Sequence, residues 1–291
     1  MREYLAWARS RQYSESTLVH YDYALRTFAA WLAARGLERL SDVTRADLET
    51  YREHLQQRGL SNGSRENLLQ WTRKLFRWME KSGRLFLDPT EDLVIPKRQR
   101  RLLPVPTEAE LARLLAQPDI TRPVGIRDRA LLEVAYGCGL RRGELVRLTI
   151  FDPDLQRGAL RVLGKGRKER IVPLGRQALR WLKRYLQHAR PKLLAGRLNE
   201  EALWISEKHG PLCGMGMRQR LMEYAKGINA KTLMCLHSLR RACATHMLRR
   251  GAHPVQIQML LGHASLRHLS QYLEVTITDL KKTHRQSKPG K

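Results

Sequence analysis

Acidic residues are scarce in this chain. Asp and Glu total 28 against 54 Lys and Arg in 291 residues, a formal net charge of +26. Solubility alone needs no such excess, which implies a polyanionic partner, nucleic acid first among them. An anionic membrane is the rival. Proteins of that kind concentrate their charge in one tail or amphipathic helix, whereas these basic residues run the whole length. Long apolar runs are missing as well: none approaches the roughly 18–20 residues of a spanning helix. The opening stretch MREYLAWARSRQYSES has no apolar core and does not read as a signal peptide. Cysteine is sparse. Cys138, Cys213, Cys235 and Cys243 form no CxxC pair and no zinc-ligand spacing. Cys243 and His246 lie three apart, but two ligands do not make a site, and a core thiol is the simpler reading. Free thiols point to a reducing cytoplasm. What is present is 42% hydrophobic residues, too many for a disordered chain, in a length that suits two domains with cores of their own.

The first 86 residues read as a small all-helical unit. Leu18, Tyr21, Leu25, Phe28 and Leu32 recur at spacings of 3, 4, 3 and 4, an amphipathic stripe over Ser14–Arg35 that Gly36 closes. Thr44 and Asp47 form a capping box before a second stripe, Leu48, Tyr51 and Leu55, which Gly59 ends. Leu68, Trp71, Leu75 and Trp78 give a third helix over Ser64–Ser82, and residues 2–10 suit a fourth. No strand is expected between them. Arg26, Arg65, Arg73, Lys74 and Arg77 on the polar faces suit phosphate contacts, although each alone is also an ordinary solvated side chain. Trp71 and Trp78 read as core rather than base-stacking residues. Residues 87–105, with prolines around Lys97, Arg98, Arg100 and Arg101, have the composition of a basic linker that would lie along a polyanion.

Residues 106–285 read as a second, mainly helical domain, and 286–291 as a basic tail. Thr107 and Glu110 make another capping box, and Arg127–Cys138 a core helix with Ala130, Leu131, Val134 and Ala135 inward. The segment GCGLRRGEL follows, where glycines permit close backbone approach. Glu144 sits three residues after Arg141 and can steer that guanidinium, although the same spacing commonly marks a surface ion pair of little value. Ala159–Leu163 and Arg170–Leu174 are short β-like runs around Gly164-Lys165-Gly166-Arg167-Lys168, a hairpin whose tip lysine can reach into a groove. GKGRKER does not have the Walker spacing. Helices are expected over Gln177–Arg190, Met217–Lys226, Ser238–Arg250 and, with Pro254 at its first position, Val255–Leu261. A short strand is expected at Leu203–Ser206. Tyr272 falls on a further short helix, and Thr278–Lys282 suits a last one.

The chemistry concentrates in His237–Tyr272. His237 and Arg240 are three apart and share one helix face. His263 follows a glycine, and Tyr272 comes nine residues later. A base, a guanidinium fork and a phenol brought together suit phosphoryl chemistry on DNA.

In order and spacing, GLRRGELVRL, VLGKGRKERIVPL, HSLRRACATH and LGHASLRHLSQY resemble the tyrosine recombinases of the phage-integrase family, the bacterial Xer-like enzymes above all. The likeness covers nearly the whole chain. It implies a mainly α fold with a small β-sheet: a helical core-binding domain and a mixed α/β catalytic domain in a C-shaped clamp. It implies six catalytic residues: Arg141, Lys165, His237, Arg240, His263 and the nucleophile Tyr272, with Glu144 in support. Of nine tyrosines, only Tyr272 follows an LGH motif at this distance. Arg73, Lys74, Arg77, Lys97, Arg98, Arg100, Arg101, Arg167 and Lys168 are the expected DNA contacts. Arg241 stands where the family often has a second histidine, and Arg267, His268 and Leu269 where serines and threonines are common.

The implied activity is site-specific recombination. Tyr272 attacks a phosphodiester, forming a covalent 3′-phosphotyrosine, and strand exchange passes through a Holliday junction. The covalent bond conserves the phosphodiester energy, so no cofactor, ATP or metal is expected. The implied partners are duplex DNA with two inverted half-sites and a homotetramer on paired DNA, with or without a second recombinase, in the bacterial cytoplasm at the nucleoid. Two other readings share the charge: a DNA-binding architectural or regulatory protein without catalysis, and a type IB topoisomerase-like enzyme. The first predicts a broken catalytic set, yet all six positions are filled. Chain length and the helical N-terminal unit favour the recombinase over the second.

Overall fold

The computed structural model describes residues 1–96, 104–164, 168–197, 199–230 and 232–262. The chain divides into two compact units, Met1–Arg101 and Leu102–Lys291.

The first unit is helical, as its apolar periodicity requires. It comprises α1 (Arg2–Ser10), α2 (Glu15–Ala34), a 3₁₀ turn at Leu40–Asp42, α3 (Arg45–Gln57) and α4 (Asn62–Lys81). The stripes of α2 and α3 form its core: Leu18, Tyr21, Leu25, Phe28, Leu32, Leu48, Tyr51 and Leu55 are all buried. At the head of α3, the Thr44 hydroxyl accepts from the Asp47 N–H at 3.2 Å, and the Asp47 carboxylate accepts from the Thr44 N–H at 3.0 Å. Gly36, Gly59 and Gly83 follow α2, α3 and α4 with positive φ and turn the chain out of each helix.

The buried face of α4 differs from the expected stripe. Leu68, Leu69, Thr72, Leu75, Phe76 and Met79 point inward, while Trp71 and Trp78 flank the core half-buried. Thr72 is fully buried because its hydroxyl donates to the Leu68 carbonyl at 3.0 Å. The helix also starts before Ser64, since the Ser61 hydroxyl accepts from the Ser64 N–H and caps it. Past the helices, Asp88 and Thr90 are buried and Leu93 joins the core, so this part of the basic stretch folds onto the helical unit.

The second unit is organised around α6 (Pro123–Gly137), which is buried on nearly every side. It starts before the expected Arg127 because Pro123 occupies the first helical turn, where its missing N–H costs nothing. Around it lie α5 (Glu108–Ala116), α8 (Arg176–Arg184), a π-helical turn (Tyr185–Ala189), α9 (Arg190–Leu194) and α11 (Leu236–Arg249). The expected single helix over Gln177–Arg190 is therefore interrupted. At the π turn the Tyr185 ring stacks on Trp204, its hydroxyl donates to the Leu203 carbonyl at 2.8 Å, and it accepts from the Ile205 N–H at 3.1 Å. Leu203–Ser206 is not a strand. This stretch makes only isolated bridges, Ala202 just before it with Thr149 and Ile205 within it with Pro211.

The hairpin strands β2 (Ala159–Leu163) and β3 (Glu169–Pro173) pair antiparallel with Leu160 opposite Val172. A two-residue β1 (Pro153–Asp154) adds to β2, so the sheet has three strands. The remaining helices are α7 (Arg142–Arg147), α10 (Gly214–Gly227) and α12 (Pro254–Leu261). On α6, Asp128 is buried beside Arg127 and receives Arg220 at 2.8 Å and the Tyr224 hydroxyl at 2.6 Å, which pins α10 to the central helix. No helix among the described residues is long and apolar enough to cross a membrane.

Candidate active site

Arg141 caps the N-terminus of α7 in an extended backbone conformation. Its own N–H donates to Glu144 Oε2 at 2.8 Å, and its Nη1 donates to Oε1 at 2.8 Å. The side chain is 41% exposed, whereas that of Glu144 is 2% exposed. The carboxylate is thus a buried hub and not half of a surface pair. Arg170 of β3 grips the same carboxylate through both arms, Nη1 to Oε1 and Nη2 to Oε2, each at 2.9 Å. Arg240 of α11 brings its Nη1 within 3.8 Å of Oε2. Burial alone would push the Glu144 carboxyl up. The Arg170 hydrogen bonds, the Arg141 N–H and the charge of Arg170 outweigh it and hold the group below its ordinary value.

The guanidinium groups are fixed a second time by backbone carbonyls at helix ends. Arg240 is almost fully buried and donates to the Gly139 carbonyl at 2.6 Å and the Leu261 carbonyl at 2.7 Å. Arg141 reaches the Leu261 and Gly262 carbonyls at 3.4 and 3.3 Å. Arg170 Nε donates to the Leu260 carbonyl at 2.9 Å. The exits of α6 and α12 therefore meet at this point.

His237 is exposed in the first turn of α11. That helix starts at Leu236, earlier than the expected Ser238, because Cys235 and Ser238 cap each other: the Ser238 N–H donates to Sγ at 3.4 Å and the Cys235 N–H to Oγ at 2.9 Å. The imidazole is held below its ordinary pKa, first by lost hydration against the protein, then by the charges of Arg241, Arg240 and Arg141. It is therefore neutral and able to accept a proton near neutral pH.

Lys165, His263 and Tyr272 lie outside the described residues, as do Lys97, Arg98, Arg100, Arg101 and Arg167. At the root of the hairpin tip, the Gly164 N–H donates to the Lys168 carbonyl at 2.8 Å, and Lys168 is exposed. In the helical unit, Arg73 turns inward: it donates to the Leu93 carbonyl, and its pKa is lowered by burial and then by Arg77. Lys74 lies over the Tyr21 ring and donates to its hydroxyl at 3.0 Å. Arg77 is exposed, 3.8 Å from Asp88. Of the three, Lys74 and Arg77 are exposed and Arg73 is partly buried.

Sequence reasoning missed Arg170. A signal for it was present, because Arg170 shares a face of β3 with the buried Val172, and a charge on an inward position requires a partner. The neighbouring apolar pair Ile171-Val172 hid that alternation.

A buried carboxylate gathers three guanidinium groups, two of which also act on His237, and such an arrangement suits an anionic ligand on a mainly helical fold with a small sheet. Comparison with known proteins carries this further. Residues 105–278 match the phage integrase family, and residues 2–83 match the phage integrase N-terminal SAM-like domain. The chain is 38% identical to tyrosine recombinase XerD of Proteus mirabilis over 95% of its length and 88% of that protein. It is 37% identical to tyrosine recombinase XerD of Yersinia pestis, over 96% and 93%. Among solved structures, it resembles XerH site-specific recombinase bound to palindromic difH substrate in a post-cleavage complex, with a TM-score of 0.74 at 20% identity, over 96% of this chain and 81% of that one. It also resembles a lambda integrase dimer bound to a COC' core site, with a TM-score of 0.72 at 20% identity, over 93% of each chain. The chain belongs to the phage integrase family and is a tyrosine-type recombinase.

Proposed function

We propose the following division of labour for this site-specific DNA recombinase. Arg141 and Arg240 bind the non-bridging oxygens of the scissile phosphate, where the pentavalent transition state gathers charge, and neither can lose its own charge near neutral pH. The phenol oxygen of Tyr272 attacks phosphorus while the bond to the 5′ oxygen breaks. The phenolic proton passes to His237, and the leaving 5′ oxygen takes a proton from Lys165. His263 donates a hydrogen bond to the phosphate. The product is a 3′-phosphotyrosine and a free 5′-hydroxyl. Attack by the 5′-hydroxyl of the partner duplex reverses the chemistry and joins the exchanged strands through a Holliday junction.

Each phosphodiester bond lost is replaced by a phosphotyrosyl bond, so the exchange balances without an external energy source. The observation that carries this reading is the Glu144 hub, which holds two guanidinium groups from distant parts of the chain in one place. The proposed substrate is duplex DNA with two inverted half-sites, bound by four copies on paired sites, alone or with a second recombinase, in the bacterial cytoplasm. The lambda integrase and XerH likenesses, in complexes with a core site and a palindromic site, support that substrate.

The test is to incubate the protein with nicked duplexes that it has selected from a randomised pool and to look for a covalent protein–DNA adduct. Tyr272→Phe is expected to abolish the adduct and leave DNA binding unchanged. An adduct that survives this change overturns the nucleophile. Relaxation of supercoiled DNA of any sequence, without a junction intermediate, favours a topoisomerase instead.

A further inference from the structure

Arg170 stands apart from the other two guanidinium groups at the hub. The difference is not exposure, which is 14% against 41% for Arg141 and 2% for Arg240, but where its donors go. Both arms lie on Glu144, and Nε is committed to the Leu260 carbonyl. It is also the inward residue of β3 opposite Val162, two residues past Lys168 and the segment of sequence that carries Lys165. Three parts of the catalytic unit therefore meet on one side chain: the hairpin root, the carboxylate that orients Arg141, and the end of α12.

The packing around it is close. A Cβ on Gly262 would lie 3.0 Å from Arg170 Nη1 and 3.1 Å from its Cδ and Cζ, so the turn out of α12 is shaped against this guanidinium. Glu144 faces Arg141 from the start of α7, Arg170 from β3 and Arg240 from α11. Without Arg170, a buried carboxylate would be left to two arginines that must also hold a phosphate. It would either draw them inward or take up a proton.

We propose that Arg170 is a positioning residue of the recombination centre: it does not touch DNA, but by bracketing Glu144 it fixes the posture of Arg141 and Arg240 and ties the root of the lysine-bearing hairpin to them. This rests on the reading of Arg141 and Arg240 as the phosphate-binding pair. Arg141 gives the carboxylate one arm, whereas Arg170 gives it both, and a fork with both arms on the carboxylate is unavailable to the phosphate.

The test uses the full-length protein with Arg170→Met, Arg170→Lys, Glu144→Gln and the double change Arg170→Met with Glu144→Gln. The substrate is a nicked duplex selected from a randomised pool by the wild-type protein. Affinity for the duplex and the single-turnover rate of adduct formation are measured between about pH 5 and 8. Arg170→Met is expected to slow adduct formation by about 100-fold, while affinity changes less than about threefold. Arg170→Lys, which keeps the charge but not the fork, is expected to lose about tenfold. The double variant is expected to be no slower than the slower single one, because both changes act through one contact. In Arg170→Met, adduct formation is expected to fall further toward acid pH than in wild type, and Glu144→Gln is expected to remove that additional fall.

Cleavage by Arg170→Met within threefold of wild type overturns the proposal. So do losses that multiply in the double variant, or a loss of affinity matching the loss of rate. If Arg170→Met does not fold, Arg170→Lys decides: a folded Arg170→Lys with wild-type rate and pH profile also overturns it. A wild-type protein that forms no adduct on any selected duplex defeats the functional reading itself, whereas an active wild type with an equally active Arg170→Met defeats only the role of Arg170.

Discussion

Gly139→Ala and Gly143→Ala place the same methyl group on either side of Leu140-Arg141-Arg142, with opposite expected results. Gly139 has φ +58°, and its Cβ would lie 2.6 Å from Leu261 Cδ2 and 3.2 Å from Cys243 Sγ. Leu261 is fully buried and Cys243 nearly so, leaving little room to move aside. Forcing a side chain into the left-handed region costs about 1–2 kcal/mol, and overpacking a tight core typically about 1–3 kcal/mol. The sum, about 2–5 kcal/mol, is a large part of the stability of a typical domain. Gly143 lies within α7, where a Cβ meets only Arg147 Nη1 at 3.6 Å, an ordinary contact. Alanine there removes a helix penalty of up to about 1 kcal/mol. The assay is urea denaturation with hydrogen exchange read on the amides of α6 and α11. Gly139→Ala should also slow adduct formation, because Arg240 holds the Gly139 and Leu261 carbonyls together. A Gly139→Ala protein within about 0.5 kcal/mol of wild type, or a Gly143→Ala protein equally damaged, would refute this account of the glycines.

Two further outcomes are expected. If His237 is the base as proposed, adduct formation should rise with pH along a limb whose midpoint lies below the ordinary imidazole value of about 6.5, since only the neutral ring accepts a proton. Arg241→Gln should move that midpoint upward by removing one of the charges that hold His237 down, and an unmoved limb would assign it to another group. Phe28→Ala should destabilise the helical unit by about 3–5 kcal/mol in chemical denaturation: Phe28 is fully buried, with ring centroids of Tyr51, Phe76 and Trp31 at 4.8, 5.9 and 6.0 Å. A loss under about 1 kcal/mol would show that the unit repacks around the void.

What could be read from the sequence was governed by local rules. The stripes of α2 and α3 are set by the 3.6-residue period, and the Thr44–Asp47 and Thr107–Glu110 caps by contacts three residues apart, so each is visible in a short window. The buried face of α4 is legible only in part: Leu68 and Leu75 are buried and Trp71 and Trp78 pack at the core's edge, while the Thr72 hydroxyl satisfies itself on the helix backbone and enters the core. The burial of Glu144 could not be read at all. Its spacing from Arg141 is that of a surface ion pair, and what buries and compensates it comes from Arg170, Arg240 and the end of α12, far along the chain. The π turn after α8 is of the same kind, since the Tyr185 hydroxyl finds its partners only when the Leu203–Ile205 segment packs against it.

The same long-range contacts explain how three guanidinium groups can share one place before any phosphate arrives. Unit charges several ångströms apart repel by about 2–4 kcal/mol per pair at an effective dielectric near 20. Glu144 neutralises one of the three. The remaining compensation comes from helix ends: the Gly139 carbonyl lies just past α6, and the Leu260, Leu261 and Gly262 carbonyls lie at the end of α12, where backbone dipoles leave partial negative charge. Hydrogen bonds to charged groups contribute about 1.5–3 kcal/mol each, enough for several of them to offset the repulsion. The contacts are graded in a way that suits the chemistry. Arg170 and Arg240 make bonds of 2.6–2.9 Å to carbonyls, whereas Arg141, the most exposed of the three, makes carbonyl contacts of only 3.3–3.4 Å. On the proposed reading, a phosphate would take Arg141 from its carbonyls at little cost while Glu144 still holds its direction. The net positive charge left at the hub would then attract the phosphodiester, and the fold would bear the repulsion only until the substrate relieves it.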